Sequence, residues 1–231
     1  MTQEEIRMGT LADHDALTAL RARWVERHFD ADRAVEPWRL KACSRRDFDT
    51  PEMLRGFSAA MLERGADQIY LFNHMDHYPN LSQEQYLAMF REAGKLETIV
   101  GKPRRHLVTY RDISPPDKTL PMALPADLVV GGVAKFSIYI GPKPTTGRAI
   151  VRVGLGAGKD LDGAQFAVRM NGADCKADKD YSTPGHFCGA KRALQFEAPL
   201  SAMKRGYNQV DVSLAKGEKQ RIVWMEIYIV P

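Results

Sequence analysis

The residues best equipped for chemistry fall in two short stretches. Asn73, His74, Asp76, His77 and Tyr78 follow the apolar run Ile69–Phe72, and Arg45, Arg46, Asp47 and Asp49 lie in SRRDFD at 44–49. Asp47, Asp49 and Asp76 are the carboxyl groups available for general acid–base work, which needs a proton donor and acceptor held on opposite sides of one bond. His74-x-x-His77 with Asp76 has zinc-ligand residue types. A loop lacks the helical i, i+4 spacing of the zincin motif, however, so no metal is expected. GLGAGKD at 154–160 has neither Walker spacing nor a helix after it. It reads as a hairpin connection, and no cofactor is expected.

Positioning these groups falls to the elements around them. Thr50 is placed to cap a helix with Pro51 at its first position, Met53, Leu54, Phe57, Met61 and Leu62 as its apolar face, and Gly65 as its stop. Ile69–Phe72 then reads as a parallel strand covered on both faces, whose polar end opens at the carboxyl edge of a sheet, where α/β folds place their chemistry. Trp38–Cys43 is a second strand candidate, following Pro37, and its exit puts Arg45 and Asp47 at the same edge; Glu36 would lie at the opposite one. Residues 13–28 have helical spacing, with Leu17, Leu20, Trp24 and Val25 on one side. Ser82 opens another helix with a capping box to Gln85; Tyr86, Leu87, Met89, Phe90 and Ala93 form its apolar side, and Gly94 ends it.

Beyond the basic KPRRH at 102–106 the period changes from helical to alternating. Strands are expected at His106–Arg111, Val133–Ile140, Ala149–Leu155, Gln165–Met170, Ala193–Glu197, Gln209–Leu214 and Ile222–Val230. Alternation is clearest in Val133, Phe136, Ile138 and Ile140, and in Ile222, Trp224, Glu226 and Tyr228. The expected fold class is α/β plus all-β: partial (β/α) barrel units over 1–104, then a jelly-roll β-sandwich over 105–231.

GADQIYLFNH at 65–74 resembles the GADGIYLFN segment of uncharacterised bacterial glycoside-hydrolase-like (β/α)8 proteins, departing from it at Gln68. There the segment is the last barrel strand, with a helix before it and a β-sandwich after it. The resemblance implies a carbohydrate context, with Asp76 and Asp47 as the catalytic candidates. Asn73, His74, Arg45, Tyr78, Tyr181 and His186 are the candidates for holding sugar, by hydrogen bonding, charge or stacking. Each also has a plainer reading: Asp49 as part of the helix cap, Asn73 and His74 as partners of backbone groups, the arginines as solvated. The order VRMNG, RGYNQVDVSL and VWMEIYIV is similar to galactose-binding-like jelly rolls, where Asn171-Gly172 and Gly206-Tyr207-Asn208 would turn tight corners. The longest polar insertion, Asp174–Gly189, holds Tyr181, His186 and Phe187.

Composition limits the partners. The 33 basic and 29 acidic residues are interspersed and leave a net charge of +4, so a mixed solvated surface is expected rather than a nucleic-acid footprint. No run approaches the roughly 20 apolar residues of a spanning helix, so no membrane partner is expected. MTQEEIRMG has no signal-peptide core, while a full-length parent could still be secreted, which leaves localisation open. Of the three cysteines, Cys175 and Cys188 flank a polar loop and could pair or stay free, and Cys43 reads as a small core residue. A closed barrel needs about 200 residues, and the stretch before the sandwich has room for two or three units. The expectations are therefore a C-terminal portion of a longer enzyme, a homo-oligomer or second chain completing the barrel, or a smaller α/β arrangement. A non-catalytic carbohydrate-binding or assembly module is the rival function.

Overall fold

The computed structural model describes residues 50–69, 82–108, 123–182 and 190–231, all within one compact unit, Pro37–Pro231. The helices form as their local signals dictate. In α1 (Pro51–Glu63) the Thr50 side chain accepts from the Met53 amide at 3.3 Å, Pro51 needs no such partner, and Gly65 turns the chain out at φ +96°. α2 (Gln83–Ala93) carries the full capping box: Gln85 N–H donates to Ser82 Oγ at 3.2 Å, and Ser82 N–H donates to Gln85 Oε1 at 2.9 Å. One further turn, α3 (Leu96–Ile99), leads to the first strand.

The strands are β1 (Arg104–Val108), β2 (Ala126–Leu128), β3 (Val133–Tyr139), β4 (Arg148–Leu155) and β5 (Gln165–Met170). They continue with the two-residue β6 (Ala173–Asp174) and β7 (Lys176–Ala177), then β8 (Arg192–Ala198), β9 (Tyr207–Lys216) and β10 (Gln220–Val230). They form two antiparallel sheets. One runs β1-β10-β4-β8-β7, with β2 also on β10; the other runs β3-β9-β5-β6. Their inner faces interdigitate through Phe136, Ile138, Val151, Val153, Val168, Phe196, Val210, Val212, Met225 and Ile227, all buried. Each such side chain contributes about 1.5–3 kcal/mol of transfer free energy, so this core carries the stability of the sandwich.

A pair of asparagines fixes the corners. Asn171 at φ +50° and Gly172 at φ +88° make the turn after β5, and Gly206 at φ +79° precedes β9. Asn171 Nδ2 donates to Asn208 Oδ1 at 2.9 Å, while the fully buried Asn208 accepts from Lys204 N–H and donates to the carbonyls of Lys204 and Gly206. The side chains thus take the place of ladder partners that the turning backbone has lost.

Several expectations need correction. Val133 faces outward, because it differs in parity from Phe136, Ile138 and Ile140. A register shift between Ile222 and Trp224 is a bulge, so Ile222 joins the inter-sheet core while Trp224 lies on the other face. Residues 156–164 are not a hairpin connection; they cross from β4 in one sheet to β5 in the other. Leu87 is 42% exposed, outside the buried side of α2. Every ladder is antiparallel, and the one parallel contact among the described residues is the single bridge Val130–Leu214, so barrel units are not shown. Ile69 is irregular backbone, and the rest of the expected strand, Tyr70–Phe72, lies outside the described residues, as does the expected Trp38–Cys43 strand. Among the described residues no helix is long and apolar enough to cross a membrane.

Helix α1 meets the sandwich through small residues as well as through Met53, which packs on Trp224, and Leu54 and Met61 are buried too. Gly56, Ala59 and Ala60 are buried, whereas Phe57 and Leu62 are only half-buried. A methyl group on Gly56 would lie 1.8 Å from the Arg105 carbonyl oxygen, so helix and strand touch backbone to backbone. Gly56→Ala should therefore cost roughly 1–3 kcal/mol by prising α1 off β1, measured as a lower urea midpoint; an unchanged midpoint would contradict this contact. The inner side of β1 gives a second expectation. Burial, together with the charge of Arg104, holds the His106 imidazole down at about 3, against an ordinary 6.5. Between those values the unfolded chain binds a proton that the folded chain does not. Stability should therefore fall by about 1.4 kcal/mol per pH unit as pH drops below 6.5 and be flat in this respect above it. Urea titrations in sodium gluconate should show that slope flattened in His106→Leu.

Candidate functional site

The outer face of the larger sheet is where the described residues concentrate charge. Strand alternation lines up Leu107, Glu226, Arg152 and Gln195 in one row across β1, β10, β4 and β8, with Arg105 and Tyr228 paired in the next row. The bulge at Val223–Trp224 brings Trp224 onto this face, opposite Gly154, where no side chain competes with the indole. Met53 of α1 packs on Trp224, with Ala190, Ala193 and Val223 beside it and Leu107 and Tyr181 at the border.

Glu226 is at the centre and is 0% exposed. Its carboxylate accepts from Arg105 Nη2 at 2.6 Å and Nε at 3.0 Å, from Arg152 Nη1 at 3.0 Å and from the Trp224 indole N–H at 3.0 Å. Arg152 also donates from Nε to Gln195 Oε1 at 2.8 Å, and its guanidinium lies between the rings of Tyr181 and Tyr228, 4.7 and 4.5 Å from their centroids. Burial lowers the Arg105 guanidinium, but the charge and hydrogen bonds of Glu226, with help from Tyr181 and Glu52, outweigh it and raise it overall. Tyr228 is raised, chiefly by burial and then by Glu52.

A carboxylate this enclosed, with two guanidiniums and an indole on its oxygens, is a fixed anchor. Proton exchange with a substrate would require breaking charge-assisted bonds that have no water to replace them. What the arrangement can do is hold α1, β1 and β4 in one register while keeping the Tyr181–Arg152–Tyr228 stack rigid.

A second cluster fastens the other end of the helix. Arg64 lies 4.1 Å over the Tyr139 ring and donates from Nη2 to the Tyr207 hydroxyl at 2.8 Å, the two rings meeting edge-on, and Arg205 pairs with Glu63. Cys175 is a free thiol that burial pushes up to about 11. Among the described residues no group of three or more His, Cys, Asp or Glu could hold a metal ion.

Of the candidates named from sequence, Tyr181 is the one described, bordering the Glu226 network with its amide donating to the Ala193 carbonyl at 2.7 Å. Asp76, Asp47, Asn73, His74, Arg45, Tyr78 and His186 lie outside the described residues, as do Asp49, His77, Phe187 and Cys188. Glu226, Arg105 and Arg152 were not singled out. For Arg152 and Glu226 the signal was a charge set within an apolar strand run, IVRVGL and VWMEIYIV; Arg105, in the basic KPRRH, gave none.

No protein-family model matches the chain, and no curated protein matches it. Similar solved structures include BuGH86 in complex with neoagarooctaose, as the wild type and as a variant. Each has 16% identity and a TM-score of 0.38, over 55% of this chain and 18% of that one. Another is a beta-porphyranase of glycoside hydrolase family 86 from the human gut bacterium Bacteroides plebeius, at 16% identity and a TM-score of 0.39, over 55% of this chain and 20% of that one. The match thus spans about a fifth of the length of these structures.

Replacing Glu226 by Gln keeps its shape and removes the buried negative charge on which Arg105 and Arg152 converge. Glu226→Gln should cost roughly 3–5 kcal/mol, read as a shift of the denaturant midpoint; a loss under about 1 kcal/mol would mean that the network is not an anchor.

Proposed function

We propose that this chain is the C-terminal portion of a glycoside-hydrolase-like, carbohydrate-active protein. In this reading an α/β part over 1–104 contributes Asn73, His74, Arg45, Asp47, Asp76 and Tyr78 to a cleft, and the sandwich over 105–231 braces it. Tyr181 and His186 extend the sugar contacts from the sandwich side, and a further segment or second chain completes the barrel. The observation that carries the reading is the docking of α1. The helix that leads into GADQI is held in its first half by the Gly56–Arg105 backbone contact and the face around buried Glu226, and just past its end by Arg64 over the Tyr139 ring and on the Tyr207 hydroxyl. A helix clamped along its length is the kind of support that positioning a substrate cleft requires. Hydrolysis would proceed through Asp76 or Asp47 as acid or base, with a second carboxylate across the scissile bond, about 5–5.5 Å away for retention or about 6.5–9.5 Å for inversion.

The test is incubation of the full chain with a panel of plant, algal and bacterial polysaccharides, following released oligosaccharides and retention on the insoluble polymer. Release that disappears in Asp76→Asn or Asp47→Asn is the expected result. Retention without release would replace the enzyme with a carbohydrate-binding module, and neither would remove the carbohydrate reading altogether.

A further inference from the structure

The inner side of β1 carries an unbalanced charge. Arg104 is 2% exposed, and among the described residues its one hydrogen bond runs from Nη2 to the Pro142 carbonyl at 2.8 Å. Among the described residues no carboxylate acts on it, and burial lowers its guanidinium to about 10. Its Nε–H is buried without a partner. Two residues along the same strand, and so on the same face, His106 is 4% exposed and its Nε2 is also buried without a partner. The other ring nitrogen of His106 bonds the Tyr139 backbone. Arg104 thus reaches Pro142, just beyond β3, and His106 reaches Tyr139 at the end of that strand, and each keeps one buried nitrogen unmatched. Leaving such groups unmatched is costly, and more so for a charged one.

We propose that Arg104 and His106 form a buried site for a small monovalent anion of the halide class, which enters together with one proton taken from solvent by His106 Nε2. The anion offsets the positive charge that the proton adds at His106 beside Arg104. With the other ring nitrogen donating to Tyr139, a neutral His106 turns a lone pair toward the anion, so the proton is needed to make Nε2 a second donor. Proton and anion together leave the charge of the site unchanged, whereas a proton alone would put two cations side by side out of water. At neutral pH a water that accepts from Arg104 Nε and donates to His106 Nε2 satisfies both atoms instead. The charged and titratable groups around this end are Arg104 on the same strand, Tyr139 on β3, Glu63 and Arg64 at the end of α1, and Arg205 before β9. The last three act on the Tyr139 ring, and Arg104 acts on the imidazole.

Thermal unfolding of the full chain in sodium bromide, against sodium gluconate at equal ionic strength, tests this. A saturable rise of a few degrees in Tm is expected at about pH 5, falling several-fold at about pH 8. The rise should be lost in Arg104→Met. Calorimetry in two buffers of different ionisation enthalpy should show close to one proton taken up per bromide. Should Arg104→Met fail to fold, crystals of the unaltered protein soaked in bromide near pH 5 give a direct reading, with an anomalous peak expected within hydrogen-bonding distance of both nitrogens. Equal Tm in the two salts at both pH values, or a site holding water only, would overturn the proposal.

Discussion

The described structure depends on one buried carboxylate being fully matched. Removing Glu226 from water costs several kcal/mol, repaid because both oxygens meet cations or an indole at hydrogen-bonding distance. That requirement fixes more than the glutamate. It sets the register of β1 and β4 on either side of β10, since Arg105 and Arg152 must arrive from opposite neighbours. It also requires the bulge that brings Trp224 round to the same face. Helix α1 then closes the face, with Met53 on the indole and Glu52 adding negative charge near Arg105.

This outer face and the inter-sheet core do different work. The core is apolar and supplies most of the folding free energy, but apolar contacts are tolerant of small slips. The ion network contributes less in net terms and is far less tolerant, because a displaced guanidinium is a buried charge without a partner. A sandwich needs only the first to be stable. Coupling a helix to it in one orientation needs the second, and the backbone contact at Gly56 adds a distance constraint to the electrostatic one. The proposed bracing role follows from that division.

How much of this could be read from the sequence depended on how local each cause is. Capping is local, and the Thr50-Pro51 and Ser82–Gln85 signals placed both helix starts where they occur. Alternation is nearly as local, and the strands around Phe136, Val151, Val168 and Val210 followed it. The bulge was not readable, since an extra residue in β10 leaves no mark until its partner strand is known; continuing the alternation through it put Ile222 on the wrong face. The docking side of α1 was readable in part: Met53, Leu54 and Met61 are buried as expected, while close approach buried Gly56, Ala59 and Ala60 and left Phe57 and Leu62 half-buried. Arg152 and Glu226 stood apart in sequence as charges within apolar runs, whereas Arg105 was hidden in the basic KPRRH stretch. Only the pairing across β1, β10 and β4 shows that they meet.

Native-state hydrogen exchange in Glu226→Gln, compared with the unaltered chain, tests the central claim most directly. If the carboxylate anchors the helix to the sheet, the amides of Leu54–Glu63 should lose protection well beyond those of Val210 and Val212 in β9, which belong to the inter-sheet core. An equal loss in both regions, or full protection of the helix in the variant, would contradict it.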